Sequence, residues 1–303
     1  MTRGRWGLLA FALTASACAG PSTGSRDAIL LGRFEATQLD GPRLRLHAID
    51  VGQGDALLVQ APGGKTALID SGPAGARRTL FRYLRANGVE KIDLLVHSHA
   101  HADHVGNTAA LIREFGVGTV LDPGFPHTAK AYARALAAIE AAGIPVRIAR
   151  RGRTVRLGRR VTLSVLAPEA PFLAGTRSDV NANSVVFRID YGQVRILMTG
   201  DAEGETEARL LRRDRSALRA QVLKVAHHGS RFATHGPFIR AVSPTLAIIS
   251  AGVNNAYRHP AKKTLSRLAA QGVAVATTAR DGHVLIETDG REVSLRRKGK
   301  RRR

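Results

Sequence analysis

The chain has 303 residues, 44% of them hydrophobic, which excludes disorder throughout and allows a sizeable core in one large domain or two small ones. Lysine and arginine number 46 against 24 acidic residues, a formal net charge of +22. That excess goes beyond the needs of solubility and points to a polyanionic partner, nucleic acid or anionic lipid, with a generally arginine-rich composition as the alternative source.

The first residues read as an export signal, because Arg3 and Arg5 precede an apolar stretch at 6–13 and the small residues Ala15, Ser16 and Ala17 follow. The stretch is too short to cross a bilayer as a helix. Cys18, the single cysteine, comes straight after the small residues and resembles the lipidated cysteine of a bacterial lipobox, with Ala15 standing where leucine is usual. Lipidation and plain cleavage after residues 15–17 are both open, and either places the mature chain outside the cytoplasm. With 1–18 read as this signal and no other cysteine present, a metal in the body must be held by nitrogen and oxygen.

Residues 19–42, rich in Gly, Ser, Thr and Pro at their start, are predicted to form a flexible tether, with the domain proper over 43–295. Leu44, Leu46 and Ala48 alternate with Arg43, Arg45 and His47, the period of a half-buried strand, and run into a tight turn at Gly52, Gln53 and Gly54. Strands at 56–60 and 66–70 flank a turn at 62–64. A helix at 76–86, an apolar strand at 92–98 and helices at 105–114 and 129–142 follow, separated by short strands. From Thr154 onward strands return at 161–166, 184–190 and 194–199. Helices at 203–213, 237–242 and 262–270 then alternate with strands at 222–226 and 246–250. This order predicts an α+β fold with two packed sheets and helices outside, a four-layer αββα sandwich. The basic run over 296–303 repels itself and is predicted to be a disordered arm.

The densest chemistry lies at 94–104, where an apolar strand ends and His99, His101, Asp103 and His104 appear within six residues. Two residues apart on an extended strand, His99 and His101 point to one side and can share one metal ion. If the chain then turns into a helix near Val105, Asp103 and His104 swing towards a second ion. A lone histidine would more often be a core or surface residue, but this density at a strand-to-helix junction favours metal.

The run 99–104, His-Ala-His-Ala-Asp-His, resembles the signature of the metallo-β-lactamase superfamily. Further segments match in order: 50–56, 68–72, Asn183 with Ser184, 199–201, 224–230 and 255–260. Together they resemble the extracytoplasmic hydrolase domain of ComEC-type competence proteins over roughly residues 43–290. No polytopic channel pattern accompanies them, so DNA import by this chain alone is not expected.

The resemblance implies two divalent ions, zinc or manganese, with His99, His101, Asp103, His104, Asp201 and His228 as ligands and Asp201 bridging. It implies that His227 lies outside the ligands or contacts substrate, the alternative being that His227 and not His228 is the ligand. Asn183 occupies a region where the superfamily often has another histidine, which leaves the metal open. Asp70, at the end of an apolar strand, is expected to orient a ligand histidine. Two such ions can lower the pKa of a water to roughly 7 and clamp the oxygens of a phosphodiester. Asp103 or Asp201 would orient that water or take its proton. His259 would contact substrate or protonate the leaving group, or would simply pack in its loop.

Three functions follow. The motifs and the charge favour a DNA or nucleotide phosphodiesterase. The fold equally admits a cell-surface phosphoester, a lactone or a β-lactam as substrate. A non-catalytic lipoprotein that binds polyanions is the third, its basic tail suiting DNA or an anionic membrane surface alike. Phe, Tyr and Trp make up only 5%, so an extended base-stacking platform is not expected.

Overall fold

The structure is a computed structural model that describes residues 30–297; the expected signal, Cys18 and the tail beyond Arg297 lie outside the described residues. The first half of the chain forms β1 (Leu44–Ala48), β2 (Leu57–Gln60), β3 (Thr66–Ile69), β4 (Ile92–Val96), β5 (Val117–Asp122) and β6 (Val146–Ile148). The second forms β7 (Thr154–Leu157), β8 (Val161–Ala167), β9 (Val186–Tyr191), β10 (Val194–Met198), β11 (Val222–Lys224), β12 (Leu246–Ile249) and β13 (Ala274–Thr277). The described residues end in the hairpin of β14 (Val284–Thr288) and β15 (Val293–Arg297).

These strands make two mixed sheets, ordered β15-β14-β1-β2-β3-β4-β5-β6 and β13-β12-β11-β10-β9-β8-β7. In the first, β1, β2 and β3 are antiparallel and β3 to β6 parallel; in the second, β7 to β10 are antiparallel and β10 to β13 parallel. Leu44, Leu46 and Ala48 face Phe187, Ile189 and Ile196 across the sandwich in one apolar core. Helices Arg77–Ala86, Thr108–Phe115 and Lys130–Ala141 cover the other face of the first sheet, and Gly204–Arg213, Gly236–Val242 and Lys262–Ala270 that of the second. The result is the four-layer αββα sandwich. Among the described residues no helix is long and apolar enough to cross a membrane.

Several expectations are corrected. Residues 30–35 are helical, and Leu31 is buried in the inter-sheet core with Leu30 and Phe34 against it. The last part of the expected tether therefore belongs to the domain, because three apolar side chains on one turn of helix find a surface to cover. Arg296 and Arg297 are not in a free arm. They end β15, and Arg297 pairs with Glu35 and Asp281 while Arg296 pairs with Glu287. His47 is buried rather than facing solvent, since Arg77–Ala86 covers its side of the sheet and Tyr83 and Gln60 meet its two ring nitrogens at 3.0 and 3.1 Å. The strand expected over 92–98 stops at Val96, and Asp103 and His104 sit inside a short helix, Ala102–Val105, not before one.

Candidate metal centre

The parallel halves of the two sheets deliver their carboxyl ends to one place, where loops are free to carry chemistry. Asp70 follows β3, residues 97–104 follow β4, Asp201 follows β10, His227 and His228 follow β11, and the loop with Tyr257 and His259 follows β12. Asp70, His227 and His228 adopt left-handed φ of 59°, 47° and 52°, a conformation that side-chain-bearing residues avoid unless surrounding contacts hold it. Gly54, at φ 132°, brings the 52–54 turn against this cluster; a Cβ there would collide with the carbonyl oxygen of Asp103.

Asp201 Oδ2 is the hub. The Nε2 atoms of His104, His228, His227 and His99 stand 3.4, 3.5, 3.8 and 3.9 Å from it. Asp103 Oδ2 lies 3.4 Å from His228 Nε2 and 3.7 Å from His104 Nε2. His99 Nε2 and His101 Nδ1 converge to 2.9 Å. Ligand-type atoms of His99, His104 and Asp201, of Asp103, His104 and His228, and of Asp55, Asp201 and His228 each lie within 4.8 Å of one another.

What aims these rings is visible at their far sides. His104 Nδ1 donates to Asp70 Oδ2 at 2.8 Å, His228 Nδ1 to the Ser250 carbonyl at 3.0 Å, and His227 Nδ1 to Glu203 Oε1 at 2.7 Å. Each donation leaves Nε2 with its lone pair turned to the hub, the arrangement typical of metal-ligating histidines. Asp70 also accepts from the Ser98 amide at 2.7 Å and its hydroxyl at 2.6 Å, so its carboxylate is fixed in turn. Beneath the cluster, fully buried Lys224 pairs with fully buried Asp55 and reaches the Gly200 carbonyl at 3.3 Å.

The electrostatics of the cluster follow from burial opposed by neighbours. Burial alone would raise the Asp201 carboxyl, but His228, His104 and His227 outweigh it and hold it well below the usual range. Burial would lower His228, yet Asp201 and Asp55 push it up to about 9, and Asp201, Asp70 and Asp103 likewise raise His104. His99 moves the other way, lowered by burial and by His104. His104 Nε2, His228 Nε2 and Asp201 Oδ1 are buried without a hydrogen-bond partner. Positive charge is thus favoured among these atoms, and divalent cations supply it while satisfying the orphaned nitrogens. The donor set, imidazole nitrogen and carboxylate oxygen, fits a binuclear metal site; its nature does not select one metal.

The structure gathers His101, Asp103, Asp201, His227, His228 and His259 around one pocket of about 300 Å³, also lined by Gln53, Ala102, Asn181 and Tyr257, with His99 and His104 fully buried against Asp201. Asp70 touches His104. Asn183 does not join them. Its amide is fully engaged with the Leu173 backbone and the Asp179 carbonyl, so it shapes the 173–179 loop. Its neighbour Asn181 is the asparagine at the pocket, with a buried and unpartnered Oδ1. Sequence reading also missed Asp55, Glu203 and Lys224. A lysine inside the apolar strand at 222–226 was the one available sign, since such a charge demands a buried partner.

A profile of the metallo-β-lactamase superfamily matches residues 49–253, and the chain belongs to that superfamily. Within it the domain is ComEC-like. ComE operon protein 3 of Bacillus subtilis (strain 168) is 32% identical over 254 residues, which cover 78% of this chain and 32% of the relative. Competence protein ComA of Neisseria gonorrhoeae is 32% identical over 234 residues, covering 77% and 30%. The chain thus spans about a third of the length of these relatives. Among solved structures, Igni18, a metallo hydrolase from the archaeon Ignicoccus hospitalis, superposes with a TM-score of 0.54 at 16% identity, over 80% of this chain and 98% of the other. The metallo-β-lactamase fold protein YhfI from Bacillus subtilis gives 0.52 at 14%, over 80% and 99%. Both likenesses concern the fold.

Proposed function

We propose that this chain is a metal-dependent phosphodiesterase that hydrolyses DNA outside the cytoplasm. The observation that carries the reading is the convergence of four Nε2 atoms on Asp201 Oδ2 at the base of an open pocket. The likeness to competence proteins and the net charge of +22 favour a nucleic-acid substrate. The reading of residues 1–18 as an export signal and the basic residues at 298–303 favour work at or near an anionic membrane surface.

In this reading His99, His101, Asp103, His104, Asp201 and His228 would hold the divalent ions. Bound divalent ions supply a water of lowered pKa and offset charge on phosphoryl oxygens. The chain's own groups do the rest. Asp103, one-third exposed at the pocket floor, orients the attacking water and accepts its proton. His227, fixed by Glu203, presents Nε2 to the pocket, and His259 lies beside it with ring centroids 5.5 Å apart. Both imidazoles are placed to hydrogen-bond the phosphate; His227 is the one to protonate the departing oxygen, because burial with His227 and His228 beside it lowers His259 to about 4.

Purified protein supplied with Mn²⁺ or Zn²⁺ is expected to degrade linear DNA, and Asp201→Asn and His228→Ala to abolish it. A panel with bis-nitrophenyl phosphate and nitrocefin separates this from the other chemistries of the fold; cleavage of nitrocefin alone overturns it.

A further inference from the structure

The metal pocket does not end at its ligands. It opens sideways into a second cleft of about 480 Å³, and Gln53, Ala102, Asp103 and Tyr257 line both. The volume lies within the range of roughly 300–1,000 Å³ typical of small-ligand sites. Its walls are small: Ala74, Gly106, Ala109, Ala131 and Ala135 leave a smooth apolar slot between the turn after β3 and the helix Lys130–Ala141. At the junction stands Tyr257, 69% exposed, its ring stacked on His259 with centroids 5.6 Å apart and planes 24° from parallel. The other exposed aromatic among the described residues, Phe232, is covered by Arg177 and Arg231. At the cleft wall Arg134 is exposed and has no acidic partner among the described residues.

We propose that this cleft is the subsite for the nucleobase next to the reacting phosphate, with Tyr257 stacking on the base and Arg134 meeting the following phosphate of a single strand. The inference rests on the phosphodiesterase reading and adds its substrate form. A flat apolar base needs an aromatic face and a slot without bulky side chains, and a phosphate beyond it needs an unpaired cation. Both are met along one continuous path from the metal pocket. A single stacking ring at the reacting position also agrees with a low aromatic content, since a long platform is not required.

The test compares a single-stranded oligodeoxynucleotide with methyl 4-nitrophenyl phosphate, which carries no base. For Tyr257→Ala the ratio of kcat/KM on the oligonucleotide to that on the small diester is expected to fall about tenfold, in line with base–aromatic stacking, and Tyr257→Phe to restore it. In EDTA, fluorescence anisotropy of the labelled oligonucleotide should show Kd raised about tenfold by Tyr257→Ala. Arg134→Ala should reduce the salt slope of that binding by about 0.7, the value for one phosphate contact on a single strand. Ala131→Trp, which fills the slot, should lower the same kinetic ratio. An unchanged ratio in Tyr257→Ala and Ala131→Trp, with both diesters still cleaved by the parent, overturns the subsite and leaves the function standing. A parent that cleaves neither diester overturns both.

Discussion

Glu203 Oε1 accepts a 2.7 Å hydrogen bond from His227 Nδ1, and Arg177 pairs with the same buried carboxylate from the other side. The pair settles the tautomer of His227, whose Nε2 must then face Asp201 and the pocket. Arg177 in turn lies over the Phe232 ring at 4.0 Å, so the orientation of one imidazole reaches back to a surface loop. Glu203 is a positioning residue. Glu203→Gln is expected to lower kcat about tenfold with KM and metal content unchanged, a typical cost of losing such an orienting partner. An equal fall in metal content, or in melting temperature, would make its role structural.

Removing the hub should be read first in metal, not in rate. Asp201→Asn removes the carboxylate on which the buried nitrogens converge, and His228→Ala removes one of those nitrogens. Equilibrium dialysis against Zn²⁺ is expected to show at least one ion fewer per chain for either variant. Retention of the parent's stoichiometry would remove Asp201 and His228 from the ligand set.

Lys224 and Asp55 are both fully buried and pair with each other beneath the site. Breaking such a pair by removing one partner leaves an uncompensated charge, at a cost of about 3–5 kcal/mol. Lys224→Met should show this loss in urea unfolding. The double variant Lys224→Met with Asp55→Asn should recover a substantial part, because no charge is then left unpaired. A double variant no more stable than the single one would show that the pair does not act as a unit.

His47 predicts a pH dependence remote from the metal site. Burial, with Arg45 adding to it against an opposing hydrogen bond to Gln60 Oε1, pushes its pKa down to about 4. The unfolded chain takes up this proton near the ordinary value of about 6.5, so the folded form is favoured fully above that pH. As pH falls from 6.5 to 4 the unfolded state binds the proton first and stability declines, by about 3 kcal/mol at the limit. The urea midpoint of the parent should drop across this window more steeply than that of His47→Gln. Parallel profiles would mean that His47 titrates normally.

Much of the architecture was legible because its elements are periodic. The alternation of Leu44, Leu46 and Ala48 places β1, and the apolar runs place β4, β10 and β12 within a residue or two of their ends. What periodicity could not show is where a weak strand finds its neighbour. All three residues of β6 are exposed, so no hydrophobic pattern marks it, and it exists because β5 offers a parallel edge. The hairpin of β14 and β15 crosses back to pair with β1, a long-range choice that local sequence does not encode.

The run at 99–104 by itself determined that metal chemistry is in question, because three imidazoles and a carboxylate so close together have few other uses. Only the tertiary structure decided which distant groups complete the site. Asn181 and not Asn183 borders the pocket, Glu203 and not a backbone carbonyl holds His227, and Asp55 and Lys224 meet under the cluster. The physical reason is reach. Ligand spacing within one turn is a property of the local chain, whereas a carboxylate from the loop after β1 and a lysine from β11 become neighbours only when two sheets close upon each other.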